Sequence, residues 1–514
     1  MADTKREIER KFEFTPADAE TAQLPDLTPV AGIDKVAGQG VAELDAVYYD
    51  TDDLRLDAAS VTLRRRTGGS DAGWHLKFPV AAGVRDEIRA PLSDRLPRSL
   101  AALLRSRVRG AQLVPVVRLL SSRDVRHLLA EDGSLLAELS IDTVRAEGLR
   151  AGSSTAAWTE IEVELADGVH DQSILDRVET RLREAGIRPA ASPSKVARAL
   201  HETAPPNSPK PAPHTTAPAE GTAGAHVLAF LRTQRDALVA LDPAVRRELP
   251  DSVHQMRVAT RRLRSAFKTY AAVVDRTVSD PLGDELKWLA AELGVDRDQE
   301  VLAQRLKTRI DALPRTLLLG PVRGRLRIWT VSRRTGSRRT TIAVLDSKRY
   351  LRLLDALDAL LAAPPLLPAA DRPVRGVLAT AVLKDYDRLA GRVRTALDLA
   401  PGHDRDLALH EARKAAKRAR YAAEAAAAAL GRPAEKFAKR MKAVQNVLGD
   451  HQDSVVARDS LRTLAAQAHA AGESAFTWGL LYGQEEAAAA EDERELPAVW
   501  ARAAKAKLRR RLGA

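Results

Sequence analysis

Between Thr203 and Ala225 the chain reads TAPPNSPKPAPHTTAPAEGTAGA, with six prolines between Pro205 and Pro218. A Pro/Ala/Thr stretch of this kind cannot build a core and is expected to be a semi-extended linker. It divides the 514 residues into two parts that obey different periods. Residues 1–202 alternate apolar and polar with period 2, whereas residues 226–514 are Ala-rich with period 3.6.

In the first part the alternating runs are 7–12, 60–66, 74–78, 85–89, 114–120, 135–144 and 158–165, and residues 171–185 carry helical spacing. The polar positions of these strands are mostly long and charged, with both signs present. An ordinary solvated face would mix in Thr, Ser and Gln. A barrel with a charged lumen explains the pattern. Glu7, Glu9 and Lys11 share one strand face, as do Arg64 with Arg66 and Glu160 with Glu162 and Glu164. Clustered carboxylates repel unless a positive group lies between them, and a hard divalent cation does this well. Arg64, Arg66, Lys77, Arg85 and Arg118 suit phosphate oxygens. Together these describe a lumen for a chain of phosphates plus metal. The chain has no cysteine, which excludes a disulfide framework, thiolate metal sites and cysteine catalysis. Aromatic residues are 4%, too few for recognition of single-stranded bases by stacking.

These residues resemble the CYTH superfamily, the triphosphate tunnel metalloenzymes. The matching elements run in order: Glu7-x-Glu9-x-Lys11, Leu63-Arg64-x-Arg66, Leu76-Lys77, Arg85-x-Glu87, Arg118, Asp142, Glu160-x-Glu162 and Ser194-Lys195. The resemblance spans about residues 4–202 and implies metal-dependent hydrolysis of inorganic triphosphate or a related anion. It implies Glu7, Glu9, Lys11, Arg64 and Arg66 as catalytic residues. Lys77, Arg85, Glu87, Arg118, Arg123 and Lys195 would bind substrate, and Glu7, Glu9, Glu160, Glu162 and Asp142 would hold Mg²⁺ or Mn²⁺. One departure is Leu120, where a second basic residue after Arg118 is expected; Arg123 is the residue that could compensate.

The net charge of +12 divides into −5 for residues 1–202 and +17 for 203–514, which points to a polyanion partner for the second part. That part contains an internal repeat. His254-x-x-Arg257-x-x-x-Arg261-Arg262-x-Arg264 matches His410-x-x-Arg413-x-x-x-Lys417-Arg418-x-Arg420. Leu293-Gly294-x-x-x-Asp298 likewise matches Leu448-Gly449-x-x-x-Asp453. The repeat is read as two tandem helical bundles, with residues 333–339 (RRTGSRR) as a basic loop between helices. On a helix, His254, Arg257, Arg261, Arg264 and Lys268 share one face, and the second copy gives His410, Arg413, Lys417 and Arg420, flanked by Lys414 and Arg418. These signatures resemble the CHAD domain over residues 226–514, which implies binding of inorganic polyphosphate by the two stripes.

The expected fold is therefore α+β and multidomain: an N-terminal antiparallel β-barrel tunnel with flanking helices (1–202), a linker (203–225), and a C-terminal all-α pair of tandem helical bundles (226–514). The first function is a metal-dependent triphosphatase joined to a polyphosphate-binding module. The rivals are a non-catalytic polyphosphate-binding or granule-associated protein, and an adenylyl cyclase-like enzyme sharing the tunnel. DNA binding ranks last, because no major-groove motif is recognisable. No run approaches the roughly 20 apolar residues that span a bilayer, and no signal peptide is visible, so the expected location is the cytoplasm, with polyphosphate granules as an associated site.

Overall fold

Alternation in the first part closes a ring. Eight antiparallel strands are β1 (Asp3–Glu13), β2 (Lys35–Asp50), β3 (Thr62–Thr67), β4 (Gly73–Ala81), β5 (Val84–Pro91), β6 (Val114–Leu129), β7 (Leu135–Gly148) and β8 (Thr155–Leu165), with a two-residue β9 (Arg188–Pro189) at the edge. The order is β5-β4-β3-β2-β6-β7-β8-β1-β9, and β1 also pairs with β5. β1 achieves closure by changing partner midway: Asp3–Ile8 run against β5 and Glu9–Glu13 against β8. The computed structural model describes residues 3–14, 24–205 and 218–513, apart from the side chains at 295–298 and 332–337. Most of the expected linker, 206–217, and the side chains of Arg297 and Asp298 thus lie outside the described residues. The chain divides into two compact units, Met1–Ala212 and Pro213–Ala514.

The sequence alternation did not reveal β2. Its first half, Lys35 to Ala42, is largely exposed and interrupted by a register shift between Gly38 and Gly40, so no clean period survives.

The charges face inward because the apolar partners are claimed outside. Leu63, Leu76 and Ile88 pack beneath Leu100, Leu103 and Leu104 of α2 (Arg98–Val108), which follows the one-turn α1 (Arg55–Ala58). Leu139, Ile161 and Val163 pack beneath Leu175, Val178 and Leu182 of α3 (Ser173–Glu184). Each such fully buried side chain stabilises the fold by about 1.5–3 kcal/mol. Strand pairing by period 2 then forces their neighbours into the lumen. One end of the barrel is filled by Tyr48, Leu119, Val144 and Trp158 together with Val196 and Ala199 of α4 (Lys195–Glu202). Ser194 caps α4, its Oγ accepting from the Ala197 N–H at 3.1 Å.

The second unit is helical: α5 (Ala223–Arg246), α6 (Ser252–Thr269), α7 (Arg276–Glu292), α8 (Gly294–Asp311), α9 (Val322–Asp346), α10 (Lys348–Ala362), α11 (Val374–Asp398), α12 (His403–Leu430), α13 (Arg432–Ala470), α14 (Phe476–Ala503) and α15 (Ala506–Gly513). α5 begins within the stretch read from sequence as linker. The basic run 333–339 is not a loop but lies inside α9. A lone Gly336 costs about 1 kcal/mol in a helix, and the flanking Trp329, Val344 and Leu345 bury enough apolar surface to outweigh it. The two sequence repeats share one continuous core, in which Leu263 and Phe267 of α6 and Tyr270 just after it join Ala416, Ala419 and Ala423 of α12. A second core joins α8 and α9 to α13 and α14 through Leu306, Trp329, Leu461 and Trp478.

Candidate functional site

The barrel lumen is a cavity of about 880 Å³ walled by Glu7, Glu9, Lys11, Arg64, Arg66, Lys77, Arg85, Glu87, Arg123, Glu162 and Lys195. Register explains the convergence. Glu7 lies opposite Arg85, Lys11 opposite Glu162, Lys77 opposite Glu87, and Arg123 opposite Asp142. These four pairings set a carboxylate against a cation, whereas Glu9 lies opposite Glu164 and Asp142 opposite Glu160, so like charges also meet across the ladder.

Two acidic groups form. In one, Lys77 Nζ lies 2.6 Å from Glu7 Oε2 and 3.6 Å from Glu87 Oε1, while Arg85 Nε lies 3.8 Å from Glu9 Oε1. In the other, Asp142, Glu160 and Glu162 bring carboxylate oxygens within 4.8 Å of one another. Lys195 Nζ sits among them at 2.9, 2.8 and 2.6 Å respectively. Lys11 joins the groups, at 3.3 Å from Glu9 Oε2 and in close contact with Glu162. Burial works to raise the Glu9 carboxyl, but Lys11, Lys77, Arg85 and Lys195 outweigh it and hold it below the usual range. Glu7 is raised instead, by burial and by the nearby Glu87 and Glu164 charges, against the pull of Lys77. Burial, aided by Lys195 and Lys77 and opposed by Glu9, pushes the Lys11 amine down to about 8.

These oxygen donors fit a hard divalent cation. Glu7, Glu9 and Glu162 reach the cavity, and Glu160 lies close behind. Asp142 is fully buried, and both its oxygens accept from Arg123, at 2.7 Å each. It anchors Arg123 and Lys195, and its oxygens lie within reach of a metal shared with Glu160 and Glu162.

Arg118 requires a correction. It lies outside the lumen, half exposed, with Nη2 at 2.6 Å from Asp45 Oδ2. On β6 the inward positions are odd-numbered: Arg123, Val125 and His127 line the cavity. Arg118 and Leu120 point the other way, so the missing base at Leu120, which is 41% exposed, takes nothing from the tunnel. Arg123 supplies the cation from this strand.

Sequence reading also missed residues. His75 is buried and bridges Glu87 Oε1 through Nδ1 at 2.9 Å and the Asp71 carbonyl through Nε2 at 2.8 Å. Asp71 in turn contacts Arg66. Burial holds the imidazole down at about 4, against the hydrogen bond to Glu87, and the Nδ1 contact orients that carboxylate. Tyr48 accepts from Arg64 Nη1 at 3.3 Å. His75 shares the alternation of Lys77, a signal that was available; Asp71 sits in a turn and gives none.

In the helical unit the two repeated copies meet at Glu424. Arg262 Nη2 from the first copy lies 3.3 Å from Glu424 Oε2, and Arg420 Nε from the second 3.4 Å from Glu424 Oε1. Arg257 donates to the Gly294 carbonyl at 3.4 Å, and Arg413 Nη2 lies 3.7 Å from Asp453. His410 Nδ1 pairs with Gln452 Oε1. Lys414 is exposed and pairs with Glu411 at 2.6 Å. Arg418 does not share the stripe: its Nη2 donates to the Lys268 carbonyl at 2.8 Å and its Nε faces Asp385 at 2.7 Å, at the junction with α11. Among the described residues, no helix is long and apolar enough to cross a membrane.

The family model for the CYTH domain matches residues 5–199, and that for the CHAD domain matches residues 229–462. Two proteins of Mycobacterium tuberculosis, from strains CDC 1551 and H37Rv, both named as uncharacterized, are 41% identical to this chain over 509 residues, covering 93% of it and 92% of themselves. Among solved structures, PptA from Streptomyces chartreusis is 22% identical with a TM-score of 0.46, covering 55% of this chain and 99% of its own. The CHAD domain from the plant Ricinus communis is 28% identical with a TM-score of 0.44, covering 58% and 96%.

Proposed function

The chain belongs to the CYTH family through residues 5–199 and to the CHAD family through residues 229–462, and from that premise we propose that its tunnel hydrolyses inorganic triphosphate while its helical unit binds inorganic polyphosphate. The CYTH family includes triphosphatases and cyclase-like enzymes, and its tunnel enzymes are metal-dependent. The observation that carries the reading is the lumen itself, closed by an apolar plug at one end and walled by interleaved cations and carboxylates.

Arg64, Arg66, Lys77, Arg85 and Arg123 would grip the non-bridging oxygens of a phosphate chain, and their charges would stabilise the charge that moves onto the leaving phosphate. Glu7, Glu9, Glu160 and Glu162 would hold Mg²⁺ or Mn²⁺, which supplies Lewis-acid polarisation of a phosphoryl oxygen and a more acidic water. Glu87, braced by His75, keeps Arg64 and Lys77 aimed into the lumen. Lys11 and Lys195, each held among carboxylates, are placed to turn toward phosphate oxygens when the acids are otherwise neutralised. In the helical unit, Arg257, Arg261 and Arg264 with His254, and Arg413, Lys417 and Arg420 with His410, offer a polyanion two repeated rows of donors.

Phosphate release from triphosphate, ATP and long-chain polyphosphate, each with Mg²⁺ and with Mn²⁺, tests the reading. Triphosphate should be cleaved fastest, and only with metal. Cyclic AMP from the ATP arm would move the tunnel to the cyclase branch. No turnover of any of the three would leave a binding protein.

A further inference from the structure

A second large cavity, of about 890 Å³, opens in the helical unit where the C-terminal end of α6 meets α11 and the middle of α12. Its charge is one-sided. Lys268, Arg276, Arg372, Lys384, Arg388 and Arg418 line it, against the single acid Asp385. Asp385 is 2% exposed and already committed: it accepts from Thr269 Oγ1 at 2.6 Å and from Arg388 Nη1 at 2.8 Å, and Arg418 Nε lies at 2.7 Å. It therefore neutralises a fraction of the surrounding positive charge and fixes two of the guanidinium groups in place. Arg276 has its own partner in Asp280, while Arg372 and Lys384 are exposed at the rim. Both Lys268 and Arg418 are depressed by burial and by neighbouring cations, as expected of crowded positive charge.

Most of the remaining wall is apolar, made by Ala271, Val273, Pro373, Val377 and Ala381 with Gly376, and Thr380 adds one hydroxyl on the same helix. A bare phosphate chain has no part that gains by covering such a wall. A ligand that does gain carries an anionic head and a less polar body, and the volume falls in the range of about 300–1,000 Å³ typical of small-molecule sites. We propose that this cavity binds an organic oligophosphate of nucleotide size, its phosphates among Arg388, Arg418, Lys384 and Arg372 and its body against the α11 wall. The site goes beyond the polyphosphate reading of the stripes. It draws Lys268 and Arg418 away from the stripes into a pocket of a different character.

The test uses the full chain carrying Arg64→Ala, to weaken the tunnel's own hold on phosphates, with chelator present. Calorimetric titration with ATP should give one saturable event, and inorganic triphosphate should bind at least tenfold more weakly. Arg372→Glu/Lys384→Glu, which changes two exposed rim side chains, should weaken ATP at least tenfold. Gly376→Leu adds bulk without charge at a position whose Cβ meets nothing within 4 Å. It should weaken ATP similarly and leave long-chain polyphosphate binding within twofold. Equal affinity for ATP and triphosphate, ATP binding untouched by either variant, or no ATP binding at all would overturn the proposal. None of these results bears on triphosphate hydrolysis in the tunnel, so the two readings fail separately.

Discussion

Replacing Lys195 with Met isolates the electrostatics of the tunnel. Lys195 Nζ lies 2.9, 2.8 and 2.6 Å from Asp142, Glu160 and Glu162, and its side chain is 9% exposed. Met keeps most of the stem but removes the charge from the centre of two buried acids, Asp142 and Glu160, and the partly buried Glu162. Asp142 retains Arg123, and Glu162 retains Lys11 and Arg123. Glu160 keeps the Trp158 Nε1–H, at 2.6 Å, and the more distant charge of Lys11. Removing one partner of a buried ion pair costs about 3–5 kcal/mol, because the other charge stays behind uncompensated. For a domain of this size each kcal/mol moves Tm by roughly 2–4 °C, so the barrel's transition should fall by about 6–20 °C. The fall should be larger at pH 8 than at pH 5, where one acid can take up a proton instead. A divalent cation should fill the gap that Lys195 leaves. At a concentration of 100 Kd it returns about 2.7 kcal/mol, so Mn²⁺ should restore half or more of the lost Tm and raise the variant more than the parent. Scanning calorimetry of the full chain with and without Mn²⁺ reads both effects. A Lys195→Met barrel that melts within about 2 °C of the parent, or one that Mn²⁺ does not rescue, would refute the view that the lysine and a metal answer the same three carboxylates.

Arg123→Ala should lower triphosphate turnover by 100-fold or more, whereas Arg118→Ala should leave it within twofold, since Arg118 sits outside the lumen; steady-state phosphate release with both variants decides it. His75 is held at about 4 in the folded protein, against an ordinary value near 6.5, by burial. The unfolded chain therefore binds the extra proton between those values, and stability is lost as pH falls through that window, at up to about 1.4 kcal/mol per pH unit. Urea denaturation from pH 7 to pH 4 should show that loss in the parent and a flatter profile in His75→Gln. In the helical unit, Arg257→Glu/Arg261→Glu and Arg413→Glu/Lys417→Glu should each weaken long-chain polyphosphate by well over the roughly 1 kcal/mol of one exposed ion pair, and binding should weaken steeply with salt. Binding to duplex DNA that equals binding to polyphosphate at the same salt would reduce the stripes to a generic cationic face.

What the sequence decided is what local geometry decides. In a strand, alternate residues share a face whatever the fold, so Glu7, Glu9 and Lys11 had to stand together, as did Arg64 with Arg66 and Glu160 with Glu162. In a helix, steps of three and four do the same, and these put Arg257, Arg261 and Arg264 in one row. The linker, with its prolines, separated the two periods for the same local reason. Parity along a strand, however, does not say which face is inside when both carry charge. Arg118 and Arg123 are five residues apart and so lie on opposite faces of β6. Only the closure of the barrel, and the pairing of Arg123 with Asp142 on β7, makes one a lumen residue and the other a surface one. Lys195 reaches Glu162 from α4, and Arg418 reaches Asp385 from a neighbouring helix. Contacts between groups so far apart in the chain depend on how helices and strands pack, and that packing is fixed by the summed burial of many apolar side chains rather than by any local run.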